Sequence, residues 1–463
     1  MKSLELLPTT ENIKSTYCEN TIGRNNDLHR FVEILDAVDD GCVIALDGNW
    51  GSGKTFFVKQ AKIILDSFNP YITIYERDVD EAIKRIWKSA HREDAAEISP
   101  QISIYFDAWE KDNDDDPLLS IVYEILKSVH SDYSFKADIK LVKMAAAIAE
   151  VITGRKVQSL IEAAKQDDPF ASIQSGRDIR SSVNEFLESL LPEQGNRLVI
   201  FIDELDRCKP SFAVRLLERI KHYFMNTNIT FVLSVNIHEL QNTVKQYYGN
   251  TFDACRYLDR FFDLRVSLPP ADMQRYIQYI GFPDSYYVYD KTAHDVVRQY
   301  HFELREIAKY FRLIKIAAYD PTHDGRNYNF AFSDGMGLQF CLHIIVPIMI
   351  GLKMHDSERY KEFVEGKDSL PLVEIISKGQ NGIGMCRTLL NHNETYDDKE
   401  TDKVKVELSK KLQDVYEALF VQGDKRSSYD RNVGQLSFGD ETKRKLLQTV
   451  GLLSGFANYR DEE

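Results

Sequence analysis

A chain of 463 residues, 43% apolar and 28% charged, has the composition of a folded protein with room for two or three domains and a core that needs no disulfide or structural metal. Its formal net charge of −14 argues against a surface that grips nucleic acid non-specifically, because such binding rests on a lysine and arginine footprint. Cys18, Cys42, Cys208, Cys255, Cys341 and Cys386 have neither metal-ligand nor redox spacing and read as reduced thiols of a cytosolic protein.

The opening "MKSLELLPTTENIK" has no apolar run and does not read as a signal peptide. Residues 1–20 are polar and read as a loosely attached arm. "TIGRNNDLHRFVEILDAV" (21–38) places apolar residues at helical spacing after a polar start. "CVIALDG" (42–48) is a continuous apolar run closed by glycine, the pattern of a strand buried on both faces of a parallel sheet. A glycine-rich turn and a helical stretch, "TFFVKQAKIILDSF", follow it.

That turn, Gly48-Asn49-Trp50-Gly51-Ser52-Gly53-Lys54-Thr55, fits G-x-x-x-x-G-K-[ST]. Such a loop wraps phosphates with inward-pointing backbone N–H groups, and its glycines permit the turn and the close approach. The helix that begins at its end aims a positive pole at the anion. Lys54 would neutralise β- and γ-phosphate charge, the Thr55 hydroxyl would ligate Mg²⁺, and Phe56 continues the binding segment.

"ISIYFDAW" (102–109) reads as a second strand, and "NDDDPLLSIVYEILKSV" (113–129) as an acidic loop leading into a helix with Pro117 in its first turn. Residues 130–190 are helical in pattern and carry no motif. "RLVIFIDELD" (197–206) is a third buried strand that ends in Asp203 and Glu204. An acid at the tip of a buried strand can hold Mg²⁺ through its water shell, so Asp203 is the second metal-side residue. Glu204, one residue on and pointing to the other side, can orient and polarise an attacking water; the alternative is an ordinary solvated acid at a helix start. The 149 residues between Lys54 and Asp203 are many for a minimal phosphate-loop domain, and residues 110–190 are the place for an insertion.

"KPSFAVRLLERIKHYF" (209–224) reads as a helix, "ITFVLSVN" (229–236) as a fourth strand, and "DACRYLDRFFDLRVSLPP" (253–270) as a helix end and a fifth strand stopped by two prolines. Where the fourth strand lies between the loop strand and the acidic strand, Asn236 would face the γ-phosphate and the water; otherwise it is a turn asparagine. Strands alternating with helices indicate an α/β fold with a parallel sheet and helices on both faces. Beyond residue 270 strand signals fade, and 271–318 and 335–460 look helical. The two most apolar segments, 144–152 and 340–352, fall short of the roughly 18 residues that span a bilayer and read as buried helices.

Together "GNWGSGKT", "YFDAWE" with "DPLLSIVYEIL", "VIFIDELDRCKP" and "YLDRFFDLRVSLP" resemble the KAP-type P-loop NTPases, members of the additional-strand, catalytic-glutamate class. The resemblance covers residues 21 to about 318. It implies ATP with Mg²⁺, and a sheet whose phosphate strand lies near the middle, flanked by the Asp203 and Asn236 strands. It implies that Ile22, Gly23 and Arg24 lie near the adenine. It also implies an arginine finger for a neighbouring subunit at Arg256 or Arg260, and a lid arginine at Arg305 that touches the γ-phosphate; a plain surface ion pair is the alternative for each. The domains then read as an arm (1–20), an ATPase core (21–270) with the insertion at about 110–190, a helical lid (271–330) and a helical C-terminal domain (331–463).

Many members of that family carry transmembrane helices within the ATPase domain; this chain shows none, so the expectation is a cytoplasmic member without membrane contact. Soluble members resemble components of anti-phage defence, which implies a regulatory or assembly ATPase, self-association and a partner effector. A second expectation, of another class, is a nucleotide-gated scaffold with little turnover. A third is an ATP-driven nucleic-acid clamp, kept open by the basic runs "KRIWKSAHR" (84–92) and "DKRSSYDRNVGQ" (424–435). The plainer reading of the first run is a solvated helix face with one buried aromatic, Trp87.

Overall fold

The computed structural model describes residues 6–38, 40–73, 77–91, 97–133, 143–146, 148–149, 179–191, 195–224, 228–282, 288–317, 336–379, 401–421 and 431–452. The chain divides into two compact units, Leu6–Asp272 and Met273–Glu463.

The first unit is built on five strands: β1 (Cys42–Asp47), β2 (Gln101–Asp107), β3 (Arg197–Asp203), β4 (Ile229–Val235) and β5 (Leu264–Ser267). Their order is β2-β3-β4-β1-β5, and every pairing is parallel. β3 and β4 are buried at all seven positions, which is why each reads as an unbroken apolar run. Parallel neighbours need crossovers, and the intervening helices, among them Lys54–Phe68 and Pro210–Tyr223, supply them. Burying each large apolar side chain of these strands stabilises the fold by about 1.5–3 kcal/mol.

The order corrects one expectation. The phosphate strand β1 is not flanked by the Asp203 strand: β4 lies between β1 and β3, and the other neighbour of β1 is β5. The register sets Asp47 beside Val235, Asp203 beside Ser234, and Asp107 beside Asp203. The sheet therefore ends in a row of acids at its carboxyl edge, where ligands of open α/β sheets bind.

The loosely attached arm is also corrected. Thr10–Cys18 is a helix, capped by the Thr9 hydroxyl, which accepts from the Asn12 N–H. Ile13, Thr16 and Tyr17 are buried, the Gln60 amide donates to Thr16 Oγ1 at 3.0 Å, and Tyr17 Oη meets His29 Nε2 at 2.8 Å. Three apolar or semi-polar residues on one face suffice to dock a nine-residue helix that looks polar on average. Pro117 opens the Pro117–Asp132 helix as expected, with Asp116 as its cap. Trp87 is 1% exposed, stacked on His91 at 4.0 Å; the basic run around it is a helix face with one buried aromatic. Part of the expected insertion (134–142, 147, 150–178), Cys386 and residues 424–430 of the second basic run lie outside the described residues. Cys18, Cys42, Cys208, Cys255 and Cys341 are free thiols.

The second unit is mainly helical. Its most apolar element, Met336–His355, runs unbroken for 20 residues and is long and apolar enough to cross a membrane, which corrects the shorter span read from sequence; 72% of its 18-residue window is buried within the protein. A π turn at Cys341–Ile345 precedes Pro347 and lets the helix continue past a residue that would break an α-helical ladder. At Gly351 an added Cβ would lie 2.2 Å from Val296 Cγ1, so the missing side chain leaves room for Val296 of the helix Val288–Tyr300. The region is not all helical: β6 (Arg431–Val433) and β7 (Leu436–Phe438) form an antiparallel hairpin too short to show a sequence period.

Candidate functional site

The turn after β1 is shaped by Gly51 at φ 81° and Gly53 at φ 94°, left-handed values that side chains disfavour. Gly53 stands directly before the helix Lys54–Phe68. The Ser52 hydroxyl and N–H both donate to the Asn49 carbonyl, at 2.6 and 3.3 Å. Lys54 Nζ donates to the Gly48 and Asn49 carbonyls at 2.7 and 3.2 Å. Burial lowers the pKa of this ammonium; Asp206, then Asp203 and Glu204, oppose that shift. Thr55 is half-buried and Phe56 is buried. Arg24 reaches the loop itself, its Nη1 donating to the Ser52 carbonyl at 2.8 Å. Ile22 is buried beside it, and its carbonyl accepts from Asp272 N at 2.9 Å.

At the end of β3, Asp203 is 1% exposed and accepts from Tyr105 Oη at 3.0 Å and from the Glu204 N–H at 3.1 Å. Burial, with Asp203 beside it, pushes the Tyr105 phenol well above its ordinary range, so it stays a donor. Lys59 lies over the Tyr105 ring, 4.3 Å from its centre.

Glu204 sits at φ 59°, a left-handed conformation that costs a non-glycine residue about 1–2 kcal/mol. The strand ends there and the chain turns into a short 3₁₀ helix, Leu205–Arg207. Burial, then the neighbouring Asp203 charge, raises the Glu204 carboxyl to about 7, with Arg207 and Lys54 pulling the other way. A carboxyl poised there is suited to taking a proton near neutrality.

Asn236 caps the helix Ile237–Tyr248: its Oδ1 accepts from Glu239 N at 3.3 Å and its own N–H donates to Asp206 Oδ2 at 3.0 Å. Its acceptor oxygen thus serves the helix start. Arg256 and Arg260 are exposed. Arg256 faces Asp253 at 3.9 Å in a pair open to solvent on both sides, and the Arg260 carbonyl accepts from Lys221 Nζ. Arg305 is exposed in the first turn of Leu304–Ala317, in the second unit.

Four residues escaped the sequence reading: Tyr105, Trp109, Asp206 and Arg207. All lie inside quoted motifs, but contacts made across 98 residues (Tyr105 to Asp203) or 156 residues (Trp50 to Asp206) leave no mark in local spacing.

The oxygen donors fit Mg²⁺. Thr55 and Asp203 offer hard oxygen donors at the start of a helix and the end of a strand, and no group of three or more His, Cys, Asp or Glu that could hold a metal occurs among the described residues. Mg²⁺ is commonly held by one or two protein oxygens with phosphates and waters, not by an all-protein cage.

A model of the KAP family P-loop domain matches residues 24–283, in agreement with the four motifs. No curated protein sequence matches the chain. Among solved structures, that of the Aeropyrum pernix ORC2 protein, in ADPNP and ADP complexes, aligns over 85% of this chain and 94% of its own, at 11% identity and a TM-score of 0.32. So distant a likeness carries no argument.

Proposed function

The chain belongs to the KAP family of P-loop domains, and from that premise we propose that it is a Mg²⁺-dependent ATP hydrolase. The observation that carries this reading is the pair at the end of β3. Asp203 is buried and hydrogen-bonded, and Glu204 beside it has a carboxyl raised to about 7. A protein that only held a nucleotide would have no need of the second acid.

The loop amides and Lys54 bind and neutralise the phosphates, and Arg24 braces the loop through the Ser52 carbonyl. Thr55 and Asp203 would hold Mg²⁺, which would supply charge neutralisation to the phosphates. Glu204 orients a water and takes its proton as the water oxygen bonds to the γ-phosphorus; the bond from that phosphorus to the bridging oxygen breaks, releasing ADP and phosphate. Asn236 directly follows β4, the strand between β1 and β3, two residues past Ser234, the register partner of Asp203.

What the turnover serves rests on the resemblance: regulation or assembly of a partner effector in anti-phage defence. Recovery of no partner by the Glu204→Gln protein from infected cells would count against it. The scaffold reading has one observation in its favour, the ion pair that holds Glu204 to Arg207. The nucleic-acid clamp loses support, since Trp87 is buried and has no face to offer a base.

The deciding assay is steady-state ATP hydrolysis by wild type and Glu204→Gln, with particle size followed by light scattering. Turnover in the wild type, with the variant bound to ATP but inactive, supports the hydrolase. ATP binding without turnover in either supports the scaffold.

A further inference from the structure

We propose that Asp206 is a positioning residue that ties the phosphate loop to the end of β4, so that the γ-phosphate cradle and Asn236 share one frame. The proposal rests on the ATP hydrolase reading.

Asp206 is 5% exposed and follows the left-handed turn at Glu204. Its Oδ2 accepts two hydrogen bonds from two different segments. One comes from the indole Nε1 of Trp50, inside the phosphate loop, at 2.6 Å. The other comes from the backbone N–H of Asn236 at 3.0 Å. Its own carbonyl accepts from the Thr243 hydroxyl at 3.3 Å, two turns into the helix that Asn236 caps. The loop, the end of β3 and the end of β4 therefore converge on one side chain. Among the acids around Lys54, Asp206 acts on it most strongly.

A purely structural role fits these facts poorly. Trp50 is 45% exposed, so its ring is no core piece, yet its one polar atom is spent on Asp206. The second oxygen, Asp206 Oδ1, is buried without a partner, which a residue kept only for packing would avoid. A carboxylate acceptor makes shorter and stronger hydrogen bonds than a neutral one and fixes two donors at a defined angle. Displacing a loop that positions a phosphoryl group by an ångström can cost about a hundredfold in rate.

Trp50→Phe keeps the ring and removes only the N–H. Its expected effect is a fall of about tenfold in the kcat for ATP, with KM within about threefold of wild type, because the loop amides remain and only their register to Asn236 is loosened. Asp206→Asn retains a neutral acceptor, and its loss is expected to be smaller than that of Asp206→Ala. The double variant Trp50→Phe with Asp206→Ala should be no slower than Asp206→Ala alone, since Asp206→Ala already removes the bond that Trp50→Phe removes. Wild-type kcat in Trp50→Phe, or a double variant showing the product of both losses, overturns the proposal. If Asp206→Ala does not fold, Trp50→Phe and Asp206→Asn make the same comparison.

Absence of turnover in the wild type refutes the hydrolase reading and leaves the tie to a separate measurement. Of the three tryptophans, Trp50 should then show an indole N–H that exchanges slowly by ¹⁵N NMR despite its exposed ring. Exchange at the rate of a free indole would overturn the tie itself.

Discussion

Arg207 Nε lies 2.6 Å from Glu204 Oε2, an ion pair closed across a single turn of 3₁₀ helix. The left-handed backbone at Glu204 makes it possible, by folding the chain so that residues three apart meet. The guanidinium also lies over two rings, 5.5 Å from the centre of Trp50 and 5.7 Å from that of Trp109. The acid proposed to activate water is thus held by a cation that the phosphate loop and the end of β2 help to place.

This arrangement sets a pH dependence. The Glu204 carboxyl is raised to about 7, so its water-activating, deprotonated form builds up as pH rises through that value. Turnover should rise with pH and reach half its maximum near 7. In Arg207→Ala the lowering influence is gone while burial and Asp203 remain, and the midpoint should move to higher pH; Arg207→Lys should move it less. A kcat/KM profile from about pH 5.5 to 9, which reads the free enzyme's groups, checks both, and a midpoint unmoved in Arg207→Ala would sink the idea.

The same shift has a sign for stability. A carboxyl whose folded value lies above its ordinary 4.5 contributes stability that is fully present below that value and lost as pH climbs through about 7. Glu204→Gln removes this slope, so its unfolding midpoint should gain on wild type between pH 5 and 8. Denaturant unfolding at several pH values measures it.

Lys54 donates to two loop carbonyls and is the one buried cation of that loop. Lys54→Ala should weaken ATP binding by about 10- to 150-fold, the value of a lost charge-assisted contact of about 1.5–3 kcal/mol. Titration calorimetry with ATP and Mg²⁺ would show it, and unchanged affinity would remove Lys54 from the site.

Arg256 has only an exposed, 3.9 Å pairing with Asp253, which is worth little by itself. If it serves a neighbouring subunit, Arg256→Ala mixed with Glu204→Gln should recover part of the activity that each lacks, since each supplies the group that the other is missing. No recovery at any mixing ratio, for Arg256 or for Arg260→Ala, would make both arginines surface groups.

Trp87→Ala should lower stability by about 3–5 kcal/mol, because it empties a fully buried site stacked on His91. Retention on single-stranded DNA should not change. Loss of DNA retention with stability intact would restore the nucleic-acid reading.

The sequence by itself determined the parallel sheet and the phosphate loop. β1, β3 and β4 are buried on both faces and so read as apolar runs, and the spacing Gly48 to Thr55 follows from how a backbone wraps a phosphate. Asp203 and Glu204 were legible for the same reason, as acids that abruptly end such a run. Tertiary structure alone decided the rest. The position of β4 between β1 and β3 depends on which strands pair, and pairing leaves no local period. The docking of Thr10–Cys18 depends on three buried residues in a segment that is polar on average. The poise of Glu204 comes from burial and from charges brought to it by folding, and the meeting of Trp50, Asp206 and Asn236 joins positions up to 186 apart in the chain. Hydrogen bonds and desolvation act through space, and only the assembled sheet brings these groups within their few ångströms of reach.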